Sequence, residues 1–600
     1  MQQHTDSKRN GIAGFFLNIF SSCLGFLAGS LILTIITVVA VCVLIFGGSD
    51  SASVKRNSVL RIQLSGIMVE KENTDNIYSM LGDTDPTISL ETILNAIKEA
   101  KTNPDIKGIS LEAGLLSSDP ASLEEIHKAL LDFKTSGKFI YAYGDHYTQG
   151  CYFVCSTADK IVLNPIGQVD WKGLGSQTVF YTDLLEKLGI KMQVFKVGTF
   201  KSAVEPYILT QMSEANRTQV SAFLHDIWHH YVELTAKQRH IAPQRLYALA
   251  DQYMGLAPAE EVKRCHLVDE LMYRDEYIDF LKNKTHTDTD KELSQISPAD
   301  LASAIDLPDF DEQIAVVYAA GEIVDAKELG LASKSSIDVG TMSKTLNKLL
   351  KDDDVRAVVL RINSGGGSAY ASEQIWHLVK KLSDKKPVVV SMGGMAASGA
   401  YYISSAANSI VAEPTTLTGS IGIFGLIPDV SQLLNDKLGL HFDVVKTNKM
   451  ADLGNVSRPF NEQESQLMQT YIDNGYKLFV KRVADGRKMT TSQVDSIAQG
   501  RVWTGQQALR IGLVDKLGSL ETAVKTAADL AHIKGDYHTQ SYPEEEPWFI
   551  SIGLSQAQAY IVDKSIKATL GEYYEPLQTL RSIKKQNSIQ ARIPYIIKID

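Results

Sequence analysis

Sulfur is scarce in this sequence: five cysteines stand in 600 residues. They are too few and too scattered for a disulfide framework. Cys23 and Cys42 lie in an apolar stretch and Cys265 is alone. Cys151 and Cys155 sit four apart on an expected helix face, a poor arrangement for an intrahelical bridge. Neither a CxxC pair nor HExxH occurs, so no metal and no cofactor is expected. A net charge of −10, with no basic patch interleaved with aromatics, argues against a nucleic-acid partner. What is present, 44% hydrophobic and 22% charged residues, describes a globular chain of several domains with ample core.

Charge is absent from residues 10–49 altogether. Within them, 26–46 is apolar apart from a few Gly, Ser and Thr, long enough to cross a hydrocarbon core of about 30 Å as a helix. A cleaved signal peptide has a shorter apolar region, about 7–15 residues, and a small-x-small site. Gly47-Gly48-Ser49 is a poor version of one, so a retained anchor is expected rather than a cleaved leader or a buried core helix. Lys8 and Arg9 precede the segment, and Lys55 and Arg56 follow it, which leaves little charge bias. The basic start and short head favour a cytoplasmic N-terminus within a head-and-anchor unit, 1–50, and place the remainder on the far side of the membrane.

Beyond the anchor the chain repeats itself. Residues 105–165 align with 354–414 at a constant offset of 249, without gaps. IKGISLEA matches VRAVVLRI, and YGDHYTQGCYFVCSTADKIVLNP matches MGGMAASGAYYISSAANSIVAEP. HLVDEL and GLVDKL recur later at a slightly shorter offset. Two copies this long read as tandem domains, 57–284 and 313–533, joined by a polar linker, 285–312. A tail, 534–600, has no counterpart, although its final IPYIIKID has the make-up of a strand. Each copy alternates apolar strands with amphipathic helices, which predicts an α/β fold. In the second copy, strands are expected at 357–362 and 387–390, a Gly-rich loop at 363–368, and helices at 371–382 and 399–407.

Ser398 stands at the start of the last of these helices, after small residues at 393–397 that allow a tight turn. The free N–H groups of a helix start suit a nucleophile whose reaction passes through an oxyanion. An ordinary N-cap serine is the plainer reading. The repeat weighs against it, because Gln149 occupies the same place in the first copy and glutamine is a poor cap. The glycines 365–367 correspond to Leu116-Ser117-Ser118. Conversely, Lys201 in VFKVGTFKSAVEPY faces Met450 or Ala451 in the second copy. Each copy thus lacks what the other has, as one shared site requires. A serine nucleophile needs a base. His377 belongs to a helix face and His441 to a strand-like run, so neither is an obvious partner, though a histidine triad stays open. A lysine serves if burial lowers its pKa toward about 7–8, and Phe200, Ala203 and Val204 flank Lys201 compatibly. A solvated surface lysine is the plain alternative.

The motifs VGTFKSAVEPY, LRINSGGGSAYASE, GGMAASGAYYISSAAN and TLTGSIGIFG resemble those of the signal peptide peptidase (SppA) family in its long, tandem-repeat form. The resemblance runs from the anchor to about residue 540. It implies two crotonase/Clp-type domains, with Ser398 as nucleophile and Lys201 as general base. Ser420 would orient the lysine, and the N–H groups of Gly366 and Gly399 would form the oxyanion hole. It further implies apolar signal-peptide substrates, a homotetramer, and a bacterial inner-membrane site with the catalytic part in the periplasm. One departure stands out: Gly365 replaces the proline usual in this loop. Two rival readings remain at this point, a crotonase-type acyl-CoA enzyme and a non-catalytic membrane scaffold.

Overall fold

The computed structural model describes residues 54–71, 87–304, 310–326, 336–544 and 589–593, with a few positions between 25 and 36. The first repeat supplies β1 (Ser58–Val69), β2 (Thr87–Ser89), β3 (Ile106–Ser117), β4 (Phe139–Tyr147) and β5 (Lys160–Val169). It continues with β6 (Lys191–Lys196), β7 (Glu270–Leu271) and β8 (Gln295–Ile296). The second supplies β9 (Gln313–Ala320), β10 (Glu322–Val324), β11 (Ser336–Asp338), β12 (Val355–Ser364), β13 (Gly366–Ser368) and β14 (Val388–Ala397). It continues with β15 (Ser409–Ala412), β16 (Leu417–Gly419), β17 (Phe424–Asp429), β18 (Val502–Thr504), β19 (Lys516–Leu517) and β20 (His538–Tyr542). The tail adds β21 (Ile589–Arg592).

All first-repeat strands except β6 form a seven-stranded parallel sheet, ordered β2-β1-β3-β4-β5-β7 with β8 also on β1. The second repeat builds an eight-stranded sheet around β14, β12 and β9. Its ladders are parallel except for β16 with β18. The corresponding strands β3 and β12 are buried over most of their length. That is why they read as near-continuous apolar runs: helices cover both faces of a parallel sheet. The repeat extends to the helix caps. Ser89 and Asp119 cap the helices Leu90–Thr102 and Pro120–Lys134, while Asp338 and Ser368 cap Val339–Lys351 and Ala369–Ser383. In each case the side chain accepts a backbone N–H three residues on. Each repeat also carries a 26-residue helix, Glu214–Arg239 and Glu462–Arg487.

A third sheet of six strands, β11-β10-β13-β21-β17-β6, draws on both repeats and the tail. In it β6 lies antiparallel to β17, from Lys196 opposite Phe424 to Lys191 opposite Asp429. This pairing carries the segment after β6 onto the second repeat. A buried seam reinforces the contact. Arg361 of β12 is 1% exposed and meets Glu70 and Glu125 of the first repeat at 2.8 and 2.7 Å. Lys128 likewise pairs with Glu413 across the seam.

Several expectations shift. The tight turn at 393–397 is instead the end of a long, bulged β14, because Gly393 and Gly394 leave room for Glu70 and Asp119 of the first repeat. The helix after Ser398 stops at Ser404. The linker is largely folded: β8 joins the first sheet and the helix Pro298–Ser303 packs on Leu90–Thr102. The strand-like run around His441 has no regular structure and is exposed. The tail opens with β20, which joins the second sheet beside β9, and a further strand forms at β21, just before IPYIIKID, which beyond Ile593 lies outside the described residues. The expected span 26–46 also lies mostly outside them. Among the described residues no helix is long and apolar enough to cross a membrane.

The helix that follows Ser398 is pinned at its far end by Gly486, where an added Cβ would collide with the Ser405 carbonyl oxygen. Replacing a helical glycine by alanine ordinarily stabilises by about 0.5–1 kcal/mol. Gly486→Ala is expected to destabilise instead, by about 1–3 kcal/mol from overpacking, read from the denaturant midpoint. A gain in stability would show that this helix end is not held by the close approach.

Candidate active site

Ser398 occupies the N-cap position of Gly399–Ser404 without capping it. Its backbone lies at φ 58°, ψ −115°, and its side chain accepts no helix N–H. A capping serine has extended backbone and bonds the second or third helical N–H, so the cap reading fails. Positive φ in a non-glycine residue is strained, by about 1–3 kcal/mol. The conformation is held by Ser398 N–H on Gly419 O and Tyr402 N–H on Ser398 O, both 2.8 Å. The first repeat has the relaxed version. There Thr148 caps the helix Gln149–Cys155 at φ −62°, and Gln149 Oε1 accepts the N–H groups of Lys172 and Gly173 at 2.9 Å.

Lys201 comes five residues after the end of β6 and is 1% exposed. Its Nζ lies 2.7 Å from Ser398 Oγ and 3.1 Å from both the carbonyl and the Oγ of Ser420. Desolvation holds the amine well below the ordinary lysine value of 10.5. A neutral amine has one lone pair and two N–H groups. The distances fit the use of all three, with the lone pair accepting from Ser398 and the N–H groups donating to the two Ser420 oxygens once the amine is neutral. The solvated-lysine reading is thereby excluded. His377 and His441 are exposed, which removes the histidine alternative.

Ser420 sits at φ 48°, with its N–H on Arg501 O at 2.7 Å and its hydroxyl 3.3 Å from Gly500 O. The loop around Gly500 escaped the sequence reading. Gly500, at φ 77°, lies against Lys201, where any side chain would overlap the lysine backbone. Phe200 N–H donates to Gln499 O at 2.9 Å. Gln219 was missed as well. Its Nε2 donates to Phe200 O at 3.1 Å and its Oε1 accepts Val502 N–H at 3.2 Å, bridging the lysine loop to the second repeat. The only sequence signal was the Gln-Gly pair at 499–500, an unremarkable turn.

The two expected oxyanion donors differ in state. Gly399 N–H opens its helix and so has no intrahelical acceptor. Gly366, at φ 99°, instead donates its N–H to Ser364 Oγ at 3.1 Å, so the expected two-donor hole is half open. Gly365, in place of the usual proline, has Met395 Sδ 3.2 Å from where a Cβ would stand. A slot one strand wide separates β13 from β17, and β21 fills it, antiparallel to both. Ile593, following β21, packs with Val220, Phe223, Ala397 and Leu417 beside the serine.

Residues 132–288 and 380–534 match the sequence pattern of Peptidase family S49, and residues 323–416 match that of Clp protease. A protein named Protease 4 from Salmonella typhi is 38% identical over 561 residues, 91% of this chain and 88% of that one. Its namesake from Haemophilus influenzae is 34% identical over 541 residues, 86% of each chain. A chloroplastic serine protease SPPA from Arabidopsis thaliana is 30% identical over 489 residues, 80% of this chain and 70% of its own.

The lowered Lys201 pKa has two signed consequences. With Lys201 as the base, kcat/KM is expected to rise with pH through that pKa and to level off well below 10.5. Between the folded and unfolded pKa values the unfolded chain binds the additional proton, so this residue makes stability rise with pH. Lys201→Met is expected to abolish peptidase activity and to flatten the stability-versus-pH slope relative to wild type on the alkaline side of neutrality. Paired denaturation curves from pH 7 to 10 with identical slopes would mean that the buried amine is charged.

Proposed function

The chain belongs to peptidase family S49 as an SppA-type tandem-repeat serine protease, and from that premise we propose a membrane-anchored endopeptidase that degrades cleaved, apolar signal peptides. The observation that carries the catalytic part is the buried 2.7 Å contact between Lys201 Nζ and Ser398 Oγ. Lys201 takes the Ser398 proton as Oγ attacks the peptide carbonyl carbon. Gly399 N–H stabilises the oxyanion, joined by Gly366 N–H on its release from Ser364. Collapse breaks the C–N bond, and Lys201 returns its proton to the leaving amine. Water, deprotonated by the same lysine, then attacks the acyl carbon, the C–Oγ bond breaks, and Lys201 returns the proton to Ser398 Oγ.

The slot between β13 and β17 supports an extended peptide substrate. There β21 already pairs with both edges as an extended strand, and a substrate taking its place would find main-chain partners on both sides, which reads no side-chain sequence by itself. The apolar surroundings of Ile593 favour aliphatic side chains next to Ser398. The uncharged stretch 10–49 supports an anchor in the bacterial inner membrane, with the catalytic part on the periplasmic side. A thioester-processing enzyme on the same fold has no use for a buried serine–lysine pair. A scaffold has no use for the strain stored at Ser398.

The homotetramer is supported by the repeat itself. Within the chain, β6 pairs with β17. Their counterparts, 441–446 and 175–180, form no strand, and the former exposes Phe442 at 51% and Val445 at 98%. A second copy that paired these segments as β6 pairs β17 would make a head-to-tail contact, which closes into a ring where its rotation permits.

Full-length protein in detergent is expected to cleave apolar signal-sequence peptides and to be labelled by a fluorophosphonate at Ser398, with Ser398→Ala inactive in both assays. Undiminished cleavage by Ser398→Ala would sink the catalytic assignment. Light scattering is expected to show four 66.0 kDa chains, falling to one in a Phe442→Ser/Val445→Asp variant. An unchanged mass in that variant would remove these segments from the interface.

A further inference from the structure

The ladder between β12 and β14 breaks at the active site. Ile362 lies opposite Met392, but the next pair is Ser364 with Ala396, so Asn363 alone faces Gly393, Gly394 and Met395. A bulge of this kind leaves backbone groups without ladder partners. Asn363 supplies one of them, because its Oδ1 accepts Met395 N–H at 3.2 Å. Its main-chain carbonyl accepts Gly321 N–H at 3.0 Å. The other end of the side-chain amide is held from the first repeat, Nδ2 donating to Glu70 Oε1 at 2.8 Å. Oxygen toward the N–H and nitrogen toward the carboxylate is the only orientation of this amide that satisfies both partners.

Glu70 is itself immobilised. It is 8% exposed, and Arg361 donates to it from Nε at 2.8 Å and from Nη2 at 3.3 Å. Arg361 and Asn363 are two apart on β12 and therefore share a face. Glycine at 393 gives the carboxylate its room. Both arms of the reaction centre leave from this point. Ser364–Gly367 forms the oxyanion loop, and Met395–Ala397 leads into Ser398.

We infer that Glu70 and Asn363 form a positioning pair, through which the first repeat sets the oxyanion loop against the nucleophile strand. Neither touches the reacting atoms. Their contribution is the relative placement of donor and nucleophile, where displacement on the order of 1 Å lowers the rate about 10²-fold. The first repeat on this view contributes two things to the shared centre, a base and a carboxylate strut. The inference rests on the Ser398–Lys201 reading above.

The test uses full-length Asn363→Ala, which leaves the Arg361–Glu70–Glu125 cluster intact, beside Glu70→Ala, which does not. The expected result for Asn363→Ala is a 10–100-fold fall in kcat with KM within threefold. The pH at which kcat/KM turns over should stay in place, because the surroundings of Lys201 are untouched, and the thermal midpoint should stay near wild type. Asn363→Asp keeps the acceptor for Met395 N–H but turns an oxygen toward Glu70. It should be as slow as alanine, and Glu70→Gln in the same chain should restore it at least partly. Asn363→Ala at wild-type kcat, or a loss explained by the unfolded fraction alone, would overturn the pairing. Ser398→Ala run alongside separates the two readings: activity there defeats the site itself, whereas a dead Ser398→Ala with a normal Asn363→Ala defeats only the strut.

Discussion

The proposed chemistry depends on keeping one amine dry. Lys201 is buried without a carboxylate to hold its charge, and desolvation alone lowers its pKa toward the range a base needs. Burial of that kind is unfavourable in isolation. It persists because the segment carrying the lysine is anchored on both sides, by β6 against β17 and by the Gly500 loop packed on the Lys201 backbone. On the proposed reading, the antiparallel pairing of β6 with β17 serves catalysis as much as structure.

The two repeats share a scaffold down to their helix caps and differ where chemistry is done. In the first, the strand-to-helix turn is relaxed and capped by Thr148, and Gln149 is spent on fastening a loop. In the second, the same turn is strained at Ser398, and further positive φ values occur at Gly366, Ser420 and Gly500 around it. Strain gathers where the backbone must aim N–H groups and a hydroxyl at one point, and the surrounding sheet over-determines it. The first repeat, freed from that requirement, supplies partners instead: Lys201, Gln219 and Glu70 all reach into the second.

Most of the architecture was legible from residue pattern. The alternation of apolar strands with amphipathic helices and the internal alignment led to tandem α/β domains, and the complementary gaps at Gln149 and Met450 or Ala451 pointed to one shared centre. The bulge in β14 was not legible. Gly393 and Gly394 look like turn residues, and only the approach of Glu70 and Asp119 explains why they stay extended. Nor was the state of Gly366 legible, since a glycine in a loop says nothing of where its N–H points. Gln219 and Gly500 carry no motif, and their importance comes from what lies across the interface.

What residue order determined was local and periodic: which stretches are strands or helices, where a hydroxyl meets a helix start, and that the chain is a duplicate with unlike halves. These follow from side-chain spacing and helix-end chemistry, which act over a few residues. The distance between Lys201 and Ser398, the lysine's lowered pKa and the strut from Glu70 to Asn363 were decided only by tertiary structure. Each is a property of two groups about two or three hundred residues apart, and the exclusion of water that gives them meaning exists only once both repeats close on one another.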